Sequence, residues 1–310
     1  MTFSNDVKNE LSHLDNEDKN ICKAELFGAF KVNGILTIKN NMMGIRFITD
    51  KASVARRVIQ LLKNNYGVVT EVEVLKLLKL KKNNRYQVNI IPSIESKKVI
   101  DDLCLLPYQN IDDSNHLSSR NCKRAFLRGA FLGNGNITNP NVDYHIDIST
   151  KDLEVANLLM GVMKDFGLNA KVTDRKDDYI VYINNFDAVS DFLNIIGAHS
   201  ALMEIENIKI LKSVRNDVNR KVNCETANLN KIVKTAVKQV ESIKYIDNSI
   251  GLTELPENLH KAAKIRLEHP DLSMSELVEY FDGLGKSGIN HRLKKLCEIA
   301  KSLGMKDLEE

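Results

Sequence analysis

Residues 27–34 read Phe27-Gly28-Ala29-Phe30-Lys31-Val32-Asn33-Gly34, and residues 128–135 read Arg128-Gly129-Ala130-Phe131-Leu132-Gly133-Asn134-Gly135. Both obey Gly-Ala-Phe-x-x-Asn-Gly at identical spacing. A repeat roughly a hundred residues apart is too long for a solenoid unit and points to two fused half-domains. The Gly-Ala pair suggests how they join. Small residues let two helix backbones approach closely, so Gly28-Ala29 is expected to pack against Gly129-Ala130 along a pseudo-two-fold axis.

The pattern around each copy agrees. In the first, an apolar-periodic helix over about 19–32 ends at Gly34, and strands follow near 35–38 and 44–49. A helix over 51–65 carries Val54, Val58, Leu61 and Leu62 on one face and closes at Tyr66-Gly67. Strands near 68–77 and 86–91 and a short helix at about 96–105 complete the half, with Pro107 beyond it. The second half repeats the order: helix 119–132, strands 136–138 and 143–149, helix 151–166 closed by Gly167, strands 170–174 and 179–183, helix 186–196. Val54-Ala55 recurs as Val155-Ala156 at the same offset. Each half therefore reads α-β-β-α-β-β-α, and the two sheets should splay into a saddle with both Gly-Ala helix ends at its floor.

The remaining third is helical. A basic connector spans 201–224, its Asn-rich start of the next segment (219–231) suggests a loop or break, and Thr226 is a candidate cap for a helix reaching Ile246. Pro256 opens a helix through Leu267, ended by His269-Pro270. Ser273 followed by Glu276 is a capping-box pattern before Leu277, Val278 and Phe281. After a tight turn at 282–285, a last helix from Lys286 or Ser287 to about 303 carries Ile289, Leu293, Leu296 and Ala300 at spacings of four, three and four. Helix, short Gly-containing turn, second helix is the helix-turn-helix arrangement, whose second helix reads base edges from its N-terminal turns. Ser287, Asn290 and His291 stand at that end, and Asn suits bidentate contact with adenine. Ser275, Lys286, Arg292, Lys294 and Lys295 are candidate partners of the DNA backbone.

Bulk properties narrow the alternatives. The 310 residues are 43% hydrophobic and 27% charged, an ordinary globular balance. No run approaches the roughly 20 apolar residues of a membrane span, and the N-terminus lacks a signal-peptide pattern, so a cytoplasmic protein with no membrane partner is expected. Five scattered cysteines contain no CxxC, and the seven histidines show no ligand spacing. Net charge is only +3, yet 51–98 holds eleven Lys/Arg against three Glu, and 207–244 holds nine against three acids. Local positive runs in a near-neutral chain are compatible with a polyanion.

The doubled motif and its surrounding order resemble single-chain LAGLIDADG homing endonucleases over roughly residues 19–200. In active relatives the penultimate motif residue is an Asp from each copy, and the two carboxylates hold the metal ions. Here those positions are Asn33 and Asn134. Two amides offer no charge to a hard divalent cation, so cleavage, a metal and any other cofactor are not expected. Asn before Gly suits a helix C-cap instead. The nearby acids Glu25 and Asp143 have no counterpart in the other copy.

A second resemblance covers essentially the whole chain. Glu225-Thr226-Ala227-Asn228-Leu229, Arg266-Leu267-Glu268-His269-Pro270 and Lys286-Ser287-Gly288-Ile289-Asn290-His291-Arg292-Leu293 resemble stretches of the WhiA family of bacterial regulators, as does the opening Phe3-Ser4…Val7-Lys8…Glu10-Leu11. That family joins a degenerate LAGLIDADG domain to a helix-turn-helix. The resemblance implies an α+β chain: an N-terminal helical extension (1–18), LAGLIDADG-like halves at 19–106 and 119–200 with a linker at 107–118, the connector at 201–224, and a helix-turn-helix domain at 225–305 with its motif about 273–303. It implies a nucleoid-associated, non-enzymatic binder of double-stranded DNA linked to cell division, chromosome segregation and sporulation-type transcription control. A second regulatory protein is a further expected partner, since family members in actinobacteria work beside an iron–sulfur protein. The competing readings are an active metal-dependent LAGLIDADG endonuclease and a protein-interaction scaffold.

Overall fold

The computed structural model describes residues 2–15, 18–76, 84–106, 115–281 and 283–305. The greater part of the expected 107–118 linker, the last residue of the 68–77 strand, Lys79, Lys81, Lys82 and Asp282 lie outside the described residues. The chain divides into two compact units, 1–211 and 212–310.

The first unit opens with α1 (Phe3–Ser12) and then carries the duplication. The first half runs α2 (Lys19–Asn33), β1 (Gly34–Lys39), β2 (Met42–Thr49), α3 (Ala52–Tyr66), β3 (Thr70–Lys76), β4 (Asn84–Ile90) and α4 (Ile94–Asp102). The second runs α5 (Arg120–Asn134), β5 (Gly135–Ile137), β6 (Ile146–Thr150), α6 (Leu153–Asp165), β7 (Lys171–Arg175), β8 (Asp178–Ile183) and α7 (Phe186–Ile196). The antiparallel sheets have matching orders, β1-β2-β4-β3 and β5-β6-β8-β7. Their registers correspond too: Gly34 pairs with Phe47, and Gly135 with Ile148. In the inner strands the residues turned toward the helices, such as Ile45 and Phe47 of β2 and Ile146 and Ile148 of β6, are buried, as period-two alternation requires.

The expected Gly-Ala packing forms. A Cβ on Gly28 would collide with the carbonyl oxygen of Phe126, and one on Gly129 with that of Glu25. Only glycine lets the α2 and α5 backbones meet there. Asp18 caps α2 through the Asn20 amide at 2.8 Å, and Ser119 caps α5 through that of Cys122 at 3.1 Å. Beside this seam sits an ion cluster absent from the sequence reading. Glu25 on α2 is 1% exposed. It accepts from Arg57 Nε at 2.8 Å and Nη2 at 3.1 Å, and from Arg128 Nε at 2.9 Å. Arg128 also donates to the Ile196 carbonyl at 3.1 Å. Arg57, counted in the basic run of the first half, is thus spent inside the fold.

α8 (His199–Ser249) begins in the first unit and continues into the second. The expected break at 219–231 does not occur, and Thr226 lies in mid-helix rather than at a cap. Five asparagines between 216 and 230 each cost only about 0.5 kcal/mol of helix propensity, while no Gly or Pro stands anywhere from 199 to 249. The real N-terminus of α8 is capped from α1: the Ser200 and Ala201 amides donate to the Glu10 carboxylate at 2.7 and 3.1 Å.

The second unit adds α9 (Glu257–Glu268) and α10 (Lys286–Ser302) to α8. The expected helix after Ser273 is a 3-10 turn over Leu277–Tyr280. Its capping box does form, with the Ser273 amide donating to Glu276 at 2.7 Å and the Glu276 amide to Ser273 Oγ at 3.4 Å. Too few residues separate that box from the turn at Gly283 (φ +72°) for the helix to settle into α geometry. Ile243 and Ile246 of α8 meet Leu259, Ala262, Leu277 and Phe281 in one small core.

Candidate nucleic-acid interface

α10 is set by its apolar face. Ile289, Leu293, Leu296 and Ala300 are all buried at the expected spacing, which turns the opposite side outward. Ser287, His291 and Lys294 are exposed along that outward side, with Asn290 exposed beside them. Lys286 reaches back across the turn, its Nζ 3.0 Å from Ser275 Oγ, so the two ends of the motif are tied together. Arg292 is half-buried on the flank of α10 opposite Asn290. The structure thus groups Ser275, Lys286, Ser287, Asn290, His291 and Lys294, with exposed Lys295 one turn beyond His291, and sets Arg292 apart from them. Two hydrogen bonds with Ser273, through side chain and then backbone, hold the Glu276 carboxyl below the usual range, so the cap stays anionic beside this cationic edge.

α8 contributes residues the sequence reading did not assign to the site. A groove of about 370 Å³ separates it from α10, with Thr235, Lys238 and Gln239 on one wall and Asn290, Lys294 and Lys301 on the other. Farther toward the start of α10, a cavity of about 490 Å³ is lined by Lys231, Arg266, Ser273, Ser275 and Lys286. Arg266 is 2% exposed and donates to the Leu272 carbonyl at 2.6 Å. Burial pulls it down from the ordinary arginine value. The signal for Lys231 and Lys238 was their seven-residue spacing, two turns on one face of the helix expected from Thr226 to Ile246.

The floor of the saddle has a different chemistry. Asn33 Nδ2 donates to the Ile48 carbonyl at 2.6 Å and to the Gly133 carbonyl at 3.1 Å. Asn134 Nδ2 donates to the Ser149 carbonyl at 3.0 Å. Neither side chain caps its own helix, contrary to expectation. Gly34 and Gly135 follow in extended conformation (φ −80° and −86°), so the chain enters a strand directly and leaves no left-handed cap position. Each amide instead pins its helix end to a strand, and Asn33 also bridges the halves. These partners are carbonyl oxygens, which accept and cannot donate, so a carboxylate could not replace the amide nitrogen.

The cavity between the two amides, about 420 Å³, mixes Lys31 and Lys151 with Asp152 and Glu154. On the pseudo-symmetric side, α1 brings Lys8 against Asp50, Lys51 and Asn136. Burial lowers the Lys8 amine to about 8, with Asp50 opposing. Among the described residues no cluster of three or more His, Cys, Asp or Glu could hold a metal ion. Asp152, Glu154 and Asp178 line this cavity without forming such a cluster, and the two motif positions present amide donors, so the motif itself does not supply the carboxylate pair that holds the metals of LAGLIDADG nucleases. The outer face of the first sheet is likewise mixed. Glu73 accepts from Gln87 at 3.1 Å and Asn89 at 3.3 Å, and Arg46 reaches Asn89 at 3.4 Å. No helix among the described residues is long and apolar enough to cross a membrane.

Comparison with known proteins accounts for nearly the whole chain. Residues 20–106 match the WhiA N-terminal LAGLIDADG-like domain, 123–215 the WhiA LAGLIDADG-like domain, and 218–300 the WhiA C-terminal HTH domain. A protein of Alkaliphilus metalliredigens (strain QYMF) named "Probable cell division protein WhiA" is 41% identical over 311 residues, covering 97% of this chain and 98% of that one. Its namesake in Clostridium tetani (strain Massachusetts / E88) is 42% identical over 313 residues, covering 98% of each. The crystal structure of full-length DUF199/WhiA from Thermatoga maritima aligns with a TM-score of 0.63 at 28% identity, over 99% of this chain and all of that one. The N-terminal LAGLIDADG domain of DUF199/WhiA aligns with a TM-score of 0.54 at 26% identity, over 67% of this chain and 96% of that one. A duplicated saddle whose motif acids have become strand-anchoring amides, followed by a helix-turn-helix and matched in all three segments, belongs to the WhiA family.

Proposed function

We propose that this chain is a non-enzymatic protein of bacterial cell division that binds double-stranded DNA through its C-terminal unit. The observation that carries this reading is α10: its apolar face is buried while Ser287, Asn290, His291 and Lys294 stand exposed at its first turns. A helix so presented enters the major groove with its N-terminal residues at base edges. Asn290 and His291 supply the sequence readout, while Ser275, Lys286, Arg292, Lys294 and Lys295 contact phosphates. The protein acts in the cytoplasm on the nucleoid, in chromosome segregation and sporulation-type transcription control, alongside a second regulatory protein. The names of its relatives support the division role. The amides at the saddle floor support a binding rather than a cutting role for the LAGLIDADG-like halves.

The test is a mobility-shift assay on the preferred site with the Asn290→Ala, His291→Ala double variant. A lost bidentate contact costs about 1–3 kcal/mol, so specific affinity should fall by roughly 5- to 150-fold while binding to random duplex changes little. Unchanged affinity for the preferred site rejects the assignment. Incubation of supercoiled DNA with the protein and Mg²⁺ or Mn²⁺ should leave it intact; site-specific cuts would establish the nuclease reading.

A further inference from the structure

Lys231, Lys234 and Lys238 lie on one face of α8, at three-, four- and seven-residue separations. Lys231 shares a cavity with Lys286 at the start of α10, and Lys238 shares the next groove with Lys294 and Lys301 farther along it. The α8 face therefore runs beside the proposed reading helix for most of its length. Among the described residues, five lysines line the two spaces, against one acid, Glu298. Behind them, Arg266 has no carboxylate within salt-bridge distance among the described residues, and its Nε has no hydrogen-bond acceptor. A lining in which cations predominate in this way favours a polyanion as its occupant.

The dimensions fit one polyanion in particular. The major groove is about 12 Å wide and admits one α-helix, so a helix standing beside α10 meets the phosphates that bound the groove. With α10 in the groove, the lysine face of α8 falls at the ridge of phosphates bounding it. We propose that α8 is a second DNA-contacting helix, and that Lys231 and Lys238, facing Lys286 and Lys294, hold the phosphodiester backbone of one strand beside the reading helix. This rests on the DNA-binding reading above and adds to it a surface that carries affinity without sequence information.

The experiment compares the full-length Lys231→Gln, Lys238→Gln variant with the wild type on preferred and random duplexes across a salt series. Two lost phosphate contacts should lower the slope of log K against log salt by about 1.8. Both duplexes should weaken by the same factor, and Lys231→Arg, Lys238→Arg should restore the slope. Both side chains are exposed, so circular dichroism at the assay temperature should show the variant folded. An unaltered slope overturns the proposal while the Asn290, His291 variant still tests the reading helix separately. Titration of DNA-free protein with pyrophosphate distinguishes a small-anion pocket: binding that the Gln pair abolishes, with the duplex slope unaltered, would assign the cleft to free phosphates and overturn the DNA role. If the Gln pair weakens only the preferred duplex, the lysines read sequence and the proposal fails.

Discussion

The Asn33→Asp substitution keeps size and shape and removes only the donor. In the native chain the Asn33 amide gives one hydrogen bond to Ile48 at 2.6 Å and another to Gly133 at 3.1 Å, and the residue is half-buried. Each such bond contributes about 0.5–1.5 kcal/mol net. A carboxylate would lose both and set its own lone pairs against two carbonyl oxygens, so a loss of about 2–3 kcal/mol is expected at neutral pH. For a unit of this size that is a drop of roughly 4–10 °C in Tm. The sign of its pH dependence follows. Only the protonated carboxyl can donate to a carbonyl, so folding raises its pKa above the unfolded value of about 3.9. Stability relative to wild type is then retained at low pH and lost as pH rises through the raised value. Urea melts of both proteins at about pH 4.5 and pH 7.5 measure this directly. The gap should be wider at the higher pH. Asn134→Asp, which breaks one exposed bond of 3.0 Å, should cost about 1 kcal/mol or less. An Asn33→Asp protein as stable as wild type at both pH values would refute the view that these amides are structural donors.

Two further perturbations probe the same unit. Gly28→Ala should destabilise by roughly 3 kcal/mol or more, because its Cβ meets backbone that cannot yield, whereas Gly161→Ala, in a helix with nothing within 4 Å, should stabilise by about 0.5–1 kcal/mol. Thermal melts of the pair check it, and equal effects would contradict the close helix approach. Lys8→Met should be more stable than wild type near pH 7, and the difference should shrink as pH rises from about 8 toward 10.5, since the buried amine sheds its proton more readily folded than unfolded. A pH-independent difference would mean that Lys8 stays solvated.

The sequence disclosed what depends on periodicity and glycine. The doubled phrase located the α2–α5 seam, and the four-three-four spacing of Ile289, Leu293, Leu296 and Ala300 fixed which side of α10 faces out. It concealed what depends on partners distant in the chain. Arg57 reads as one more surface cation until Glu25 and Arg128 are seen around it. Asn33 reads as a cap until a strand carbonyl and the other half appear within reach. Asparagine also misled at 219–231, because its local hydrogen bonding favours turns only when the helix is not otherwise committed. Glu10 gave no hint of reaching Ser200 and Ala201, nearly two hundred residues away.

The Glu25 cluster bears on how this duplication can evolve. At the offset of the repeat, Phe126 occupies the place of Glu25, and Phe27 that of Arg128. Two copies of the second half, paired as an ancestral symmetric dimer would pair them, would each seal an arginine into the seam with no anion to meet it, at a cost of several kcal/mol apiece. The dependence runs one way: the first half carries both Glu25 and Arg57, whereas the buried arginine of the second half relies on a carboxylate that only the first half supplies.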